Sequence, residues 1–515
     1  MSNGFAYDHL ALAQLQQRLR PMFERFLSDP LAPRTIVVVP GLSLDADTLA
    51  KIDGVRHYEE RQLSMLMWLR LPNTRVVFMT SVPLDSVIID YYLSLLHGVP
   101  AAHARRRLTL LSASDASPVT LTRKLLERPR LIGRIRAAIG DPANAHLSVF
   151  NATGLEAALA IALDIPLYAC DPALARWGSK SGSREAFRAA GVALPDGAEN
   201  LRDLDDVAEA IARLKHADPA MHRCVVKHND GFSGEGNAVF DFDRDDAAVS
   251  AAWVRRELPT RLCCEAKEEG FEHYAEKFRS MGGIVETWID GPDKCSPSVQ
   301  LRVNPIGNLE LISTHDQTLG GASGQIFLGS TFPAREAYRR DLHDAGWRVG
   351  EVLRDRGVLG RFSVDFVSHR DATGWRHVAI EINLRKGGTT LPFHMLQYLT
   401  AGRYDAASAR YLTPMGHERC YYATDTLQSA HYRRFTPEDL IDILVSRRLL
   451  FDPTSQRGVV FNLLGALSEY GKLGVVCIDE TAAGALAMFE ETKAVLDSEA
   501  CNGDHDGAAT RASSP

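Results

Sequence analysis

Four short segments in the middle of this 515-residue chain carry residue types whose spacing suits one chemistry. Val225-Val226-Lys227 reads as a strand end, and the stretch after it holds Asn229, Gly231, Ser233, Gly234 and Gly236. Glycines in such a loop let backbone N–H groups approach phosphate oxygens, and a lysine beside it neutralises phosphate charge. A second lysine, Lys180, follows Gly178-Ser179 and precedes Ala190-Gly191-Val192-Ala193-Leu194-Pro195, which makes it a candidate for the same phosphates. The third segment, Val285-Glu286-Thr287-Trp288-Ile289, turns at Asp290-Gly291-Pro292. As an edge strand it offers adenine one backbone acceptor and one donor. The fourth runs Arg361-Phe362-Ser363-Val364-Asp365-Phe366 and returns as Ile380-Glu381-Ile382-Asn383-Leu384-Arg385. Strand alternation sets Asp365 on the face opposite Phe362, Val364 and Phe366, and puts Glu381, Asn383 and Arg385 on one face. Magnesium takes carboxylate and amide oxygens together with phosphates, so Asp365, Glu381 and Asn383 suit ions bridging a nucleotide's β and γ phosphates. Alone, each segment also fits an ordinary structural role. Together they describe a nucleoside triphosphate site.

In this order the segments resemble the ATP-grasp superfamily of carboxylate-amine ligases, over about residues 172–400. The resemblance implies ATP and Mg²⁺ as cofactors. It implies that Lys180, Lys227 and the loop of Gly231, Ser233, Gly234 and Gly236 hold phosphates, that Glu286, Thr287, Trp288 and Ile289 hold adenine, and that Asp365, Glu381 and Asn383 hold the metal. Residues 458–467 and the N-terminal region are similar to the peptide ligase family of pheganomycin biosynthesis. That likeness implies activation of an acid as an acyl phosphate, then capture by the amine of an amino acid or peptide, with release of ADP and phosphate. Lys386-Gly387-Gly388-Thr389-Thr390 after Arg385 departs from commoner members and leaves the acceptor-site geometry open. Arg302 and Arg385 are candidates for a carboxylate or acyl phosphate, because guanidinium matches planar oxyanions bidentately. A structural ion pair is the alternative for each. His315 is the candidate base for the incoming amine, with a hydrogen-bonded structural role as its alternative. Residues 318–329, which are glycine-rich, are expected to form a mobile flap over the substrate.

The elements that must position these residues give an α/β and α+β multidomain fold. Apolar runs at 35–39, 75–80, 146–150 and 166–169 alternate with helical patterns at 86–97 and 154–163, predicting a parallel, Rossmann-like domain over 1–171. No GxGxxG follows any of these strands, which argues against a dinucleotide role. Hairpins at 298–303 with 308–315, and at 360–368 with 375–383, predict an α+β catalytic domain over 172–400. A small α/β cap over 401–500 and a disordered tail over 501–515 complete the expectation.

Composition excludes other classes. Hydrophobic residues make up 45% and charged residues 24%, as in globular proteins. With 58 Lys and Arg against 65 Asp and Glu, the net charge of −7 sets up no global field for nucleic acid or anionic lipid. The 8 cysteines have no zinc-site spacing. Without a signal peptide or an apolar run of membrane-spanning length, a cytoplasmic protein is expected. The expected partners are a small-molecule carboxylate donor and an amine acceptor, with homo-oligomerisation open. Two rival readings stand beside the ligase: a nucleotide-binding protein without turnover, and a ligase of the same fold with a non-amine acceptor.

Overall fold

The computed structural model describes residues 6–44, 46–231, 236–243, 249–265, 270–320 and 326–509. The chain forms two compact units. A middle unit holds residues 173–328 and 334–384, and a flanking unit holds the chain on either side together with 329–333.

The flanking unit opens with four parallel strands, β1 (Arg34–Val39), β2 (Thr74–Thr80), β3 (Leu108–Ser112) and β4 (Ala145–Val149), in the order β3-β2-β1-β4. Every residue of β1 is buried, as a parallel strand covered on both faces requires. The run at 166–169 joins this sheet only through the bridge Leu147–Leu167. The helix Gly154–Leu163 starts in a capping box between Thr153 and Glu156, and its Leu155 is buried at the first turn. It seats Ala157, Leu159 and Leu163 in the core with Val37, Val77 and Leu147. An unexpected element is the 3-10 run Val55–Arg70, in which Glu59, Glu60, Arg61 and Gln62 are all buried. Runs of this length are uncommon for the 3-10 form. Here internal bonds hold it: Ser81 N donates to Glu59 at 2.7 Å, and Gly465 N donates to Glu60 at 3.0 Å.

The middle unit carries two antiparallel sheets. The first has the order β5-β9-β6-β7-β8, from β5 (Gly197–Leu201), β6 (Arg223–His228), β7 (Asn237–Asp241), β8 (Leu262–Cys264) and β9 (Gly283–Thr287). Val207, Ile211, Val226, Phe240, Phe278 and Val285 form its core. The second sheet contains β10 (Ser296–Val303) and β11 (Leu309–Gly320), with β12 (Ile326–Phe332) next in the chain. It is completed by β13 (Gly360–Asp371) and β14 (Gly374–Asn383), in the order β14-β13-β10-β11. Both expected hairpins are present. The helix Arg339–Asp355 lies close against this sheet because Gly346 and Gly350 face it. A Cβ there would meet Val299 at 3.0 Å and Leu309 at 2.8 Å.

The rest of the flanking unit has a short hairpin, β15 (Arg403–Asp405) and β16 (Arg410–Leu412), and the antiparallel strands β17 (Cys420–Gln428), β18 (Gly458–Asn462) and β19 (Lys472–Asp479). β19 lies between β17 and β18. The last helix runs Ala482–Ala509 and so continues into the segment expected to be a tail. The middle unit begins at 173 and its last segment ends at 384. The segments before 173 and after 384 belong to the flanking unit. Among the described residues, no helix is long and apolar enough to cross a membrane.

Candidate functional site

Lys227 lies near the end of β6, next to the loop that leads into β7, with which β6 pairs. The loop base is fixed by packing: the His228 ring stacks on Tyr274 with centroids 4.1 Å apart, and Tyr274 Oη donates to the carbonyls of Val226 at 2.9 Å and Gly236 at 3.2 Å. Gly236 has φ +86°, and a Cβ there would meet the His228 ring at 3.0 Å. Glycine is needed there on both counts. Gly231 is exposed, whereas Ser233 and Gly234 lie outside the described residues.

The helix Lys180–Ala189 begins at Ser179, whose hydroxyl accepts from Gly182 N at 3.1 Å. Asn229, from the glycine-rich loop, binds the same turn: its carbonyl accepts from Lys180 N and its Oδ1 from Ser181 N, each at 3.0 Å. Ser183 Oγ accepts from Ile382 N at 3.0 Å and ties the helix to β14. These bonds bring Lys180 to β14, where its ammonium is hydrogen-bonded to Glu381 Oε1. Lys180 and Lys227 are both buried.

Arg184, on the same helix, is 2% exposed and links three segments. It donates to Glu199 at 3.0 Å, to the Pro195 carbonyl at 3.0 Å and to Glu286 Oε1 at 2.6 Å. The other Glu286 oxygen accepts from Lys227 at 2.7 Å. A chain of ion pairs therefore runs from half-buried Glu199 through the buried Arg184, Glu286 and Lys227. Burial pushes the Glu199 carboxyl upward, but hydrogen bonds from Arg188 and Arg184 outweigh it and hold the group below the usual range. Sequence reading missed Arg184 and Glu199. The available signal was Glu286, a carboxylate inside the apolar run Ile284-Val285, which needs a buried cation.

The segment expected to be an edge strand is paired on both sides. β9 is an inner strand, with Glu286 paired to Gly197 on one side and Val225 on the other. The backbone of Glu286 is therefore used within the sheet, and Thr287 N donates to the Asp196 carbonyl at 2.8 Å. The ladder ends at Thr287, so of the expected segment Trp288 and Ile289 continue past the strand. The Trp288 ring is flanked by Arg223 at 5.3 Å and Lys294 at 4.4 Å from its centroid, and its Nε1 donates to Asp290 at 2.8 Å.

On β13 and β14, Asp365 pairs directly with Glu381, and Ser363 with Asn383. The register then shifts, so that Phe366 pairs with Ala379 and Ile380 is bulged. Asn383 Nδ2 donates to Asp365 Oδ2 at 2.9 Å. Burial alternates along β13 as expected, with Phe362, Val364 and Phe366 inside and Asp365 half-buried on the other face. Among the described residues, no three His, Cys, Asp or Glu side chains gather around one point. Two carboxylates and one amide do gather. This all-oxygen set fits a magnesium ion, which keeps water and phosphate ligands.

Arg302 is engaged by Glu310 across the β10–β11 pair, with its Nε 2.8 Å from the carboxylate, as the ion-pair alternative expected. His315 is 0% exposed on β11, and burial pushes its imidazole down to about 3. An enclosed imidazole held neutral in this way is a weak base, which favours the structural alternative for His315. Of the expected flap, residues 318–320 belong to β11 and 326–329 to β12, while 321–325 lie outside the described residues. Arg385 belongs to the flanking unit. Its guanidinium lies 5.8 Å from the Phe150 ring centroid, and it donates to the Lys386 carbonyl at 3.2 Å.

Comparison with known proteins adds independent findings. Residues 172–263 and 256–407 match the family described as IQCH-like, ATP-grasp, and residues 439–490 match the PGM1 C-terminal domain. L-propargylglycine--L-glutamate ligase of Streptantibioticus cattleyicolor is 31% identical over 488 residues, covering 92% of this chain and 96% of that protein. An ADP complex of N5-carboxyaminoimidazole ribonucleotide synthetase has a TM-score of 0.52 at 13% identity, over 91% of this chain and 98% of that one. Biotin carboxylase of Campylobacter jejuni, in a beta-gamma-ATP complex, has a TM-score of 0.52 at 14% identity, over 93% and 97%. At these identities the structural likeness shows a shared fold.

Proposed function

The chain belongs to the ATP-grasp family of ligases, and from that premise we propose that it joins a carboxylic acid to the amine of an amino acid or peptide at the expense of ATP. An oxygen of the acid attacks the γ-phosphorus, and ADP leaves as the acyl phosphate forms. The amine nitrogen then attacks the acyl carbon, phosphate leaves, and the nitrogen gives up its proton. Such transfers depend mainly on positioning and charge neutralisation. The relative's name, a ligase of L-propargylglycine and L-glutamate, directs the proposal to amino acids as substrates. With ATP as co-substrate, we propose a cytoplasmic reaction.

One observation carries this reading: both lysines are already paired with carboxylates, Lys227 with Glu286 and Lys180 with Glu381. If Lys227 turns to a phosphate, Glu286 keeps Arg184 as a partner. If Lys180 does so, Glu381 is released beside Asp365. Nucleotide binding would thus prepare the carboxylate pair for magnesium, with Asp365, Glu381 and Asn383 as holders. When bound, the ion supplies positive charge at the β and γ phosphates.

The test is ADP release with acid and amine each withheld in turn, repeated for Glu381→Gln with thermal unfolding as the control for fold. ADP release should require both substrates, and the variant should lose at least about 100-fold in turnover, because its lost charge acts in the transition state. ADP release without an amine would favour another acceptor, and nucleotide binding without turnover would favour a sensor.

A further inference from the structure

The helix Lys180–Ala189, like any helix, starts with N–H groups that have no partner within it. Here the chain supplies one for each. Ser179 N donates to the Arg176 carbonyl at 3.1 Å, and Gly182 N donates to Ser179 Oγ at 3.1 Å. The remaining two belong to Lys180 and Ser181, and both are bonded to Asn229, one at its carbonyl and one at its Oδ1, each at 3.0 Å. With its backbone donors used in this way, what the helix start can bring to a phosphate is the Lys180 ammonium. Where that ammonium stands depends on what holds the helix start, and half of that hold comes from Asn229.

Asn229 is anchored in turn by a third segment. Its N donates to the Gly282 carbonyl and its Nδ2 to the Met281 carbonyl, each at 3.0 Å. Gly282 has φ +70°, and a Cβ there would meet the Leu201 carbonyl oxygen at 2.7 Å and Asn229 Nδ2 at 3.2 Å. Asn229 stands two residues after Lys227 and opens the glycine-rich loop. The two lysines are therefore held differently. Lys227 sits in a sheet, paired with Asn237 on one side and Ile284 on the other. Lys180 sits on a helix whose first turn is capped by a side chain of the loop. The amide of Asn229 does two things at once that its nearest substitutes cannot. Alanine leaves Ser181 N without its acceptor, and aspartate turns a carboxylate oxygen toward the Met281 carbonyl.

We propose that Asn229 is a positioning residue for ATP: it couples the glycine-rich loop to Lys180, so that a phosphate seated on the loop also fixes the Lys180 ammonium. The proposal rests on the ATP-dependent reading above. Asn229 acts through Lys180 and touches no reacting atom.

A double-mutant cycle tests this. ATP binding is measured by calorimetry, with magnesium and without acid or amine, for Asn229→Ala alone and combined with Lys180→Met or with Lys227→Met. Alone, Asn229→Ala should weaken ATP binding about 5-fold, the scale of one hydrogen bond. In Lys180→Met its effect should shrink below about 2-fold, because the group that it positions is gone, and in Lys227→Met it should remain about 5-fold. Equal losses in the two lysine backgrounds, or none in the parent, would overturn the positioning role and leave the ligase reading in place. A cap that only supports the fold would give that result together with lower stability in urea. Hydrogen exchange on the parent, with and without ATP, is a second arm that needs no variant. The amides of Lys180 and Ser181, bonded to the loop, should gain about 5-fold protection when ATP binds, and that of Gly182, bonded to Ser179, should change by less than about 2-fold. No gain at Lys180 and Ser181, or an equal gain at Gly182, would overturn the coupling. If the parent bound no ATP, both readings would fall. If ATP bound with the expected pattern but ADP release never required acid and amine, the ligase reading would fall and the role of Asn229 would stand.

Discussion

Glu286 is bound by two cations, Arg184 on one oxygen and Lys227 on the other, and the two differ in what they are free to do. Arg184 also binds Glu199 and the Pro195 carbonyl, so its loss breaks three contacts at once and leaves each carboxylate with a single cation. Lys227 → Met leaves Glu286 neutralised by Arg184 and should preserve the fold while weakening ATP binding by about 10-fold or more, as loss of a charge-assisted phosphate contact does. Arg184 → Met leaves Glu286 with Lys227 alone and should destabilise the protein by about 3–5 kcal/mol, the usual result of removing one partner from a buried ion pair. Nucleotide calorimetry and urea unfolding separate the two effects. If Arg184 → Met proved as stable as the parent, the chain of ion pairs would not be a structural support. Lys180, Lys227, Asp365, Glu381 and Asn383 could be proposed from the sequence because each stands beside a glycine turn or alternates with apolar residues. Arg184 could not, because an arginine inside a helix gives no sign of which side it faces until the strand that buries it is in place.

Among elements, the hairpin of β13 and β14 was legible from alternation, whereas the bulge at Ile380 that aligns Asp365 with Glu381 was not. β9 was read as an edge because its turn and composition suit one. Its inner place comes from β5, whose sequence Gly197-Ala198-Glu199-Asn200-Leu201 carries little strand signal. The 3-10 run Val55–Arg70 escaped notice because its charged residues resemble a solvated surface, although they are buried. Its Glu59 yields a test. Burial pushes that carboxyl up to about 7, against the hydrogen bonds from Ser81 and the charge of Lys124. The unfolded chain releases this proton near the ordinary value of 4.5, and the folded chain holds it until about pH 7. Fewer protons are bound when unfolded, so the group makes the fold less stable as pH rises through that window, with no further change above it. Glu59→Gln removes the titration and keeps acceptor capacity toward Ser81. Its stability relative to the parent should therefore improve between pH 5 and pH 8, measured by urea unfolding. Parallel curves for the two proteins would show that Glu59 ionises normally.

At the scale of the whole molecule, the sequence suggested three successive domains because its texture changes near 172 and again near 401. Within the flanking unit, pairs far apart in the chain hold its segments together, such as Phe461 N on Tyr91 Oη at 2.9 Å and Lys472 Nζ on Tyr58 Oη at 2.8 Å. Hydroxyl contacts separated by hundreds of residues leave no local periodicity to detect. The response to acid is likewise a property of folding, not of composition. The 17 histidines give no hint of which ones the fold encloses. Burial pushes His315 down to about 3, and burial above all pushes His343 down to about 4. Both groups sit below the ordinary value of 6.5. Between that value and about pH 4 the unfolded chain binds protons that the folded chain refuses, so stability is lost as pH falls through this window. Each such histidine adds a slope of about 1.4 kcal/mol per pH unit, and Glu59 opposes them over part of the range. His315→Asn should lower that slope by about one proton's worth, and should leave the pH profile of kcat between 6 and 8 unchanged, because an enclosed neutral imidazole takes no part in the chemistry. Imidazole resonances followed by NMR give the direct measurement: in the folded protein the His315 signal should stay at its neutral position at pH 5, and in urea it should titrate near 6.5. A His315 signal that titrated near 6.5 in the folded protein, together with loss of one limb of the kcat profile in His315→Asn, would return this residue to the list of candidate bases.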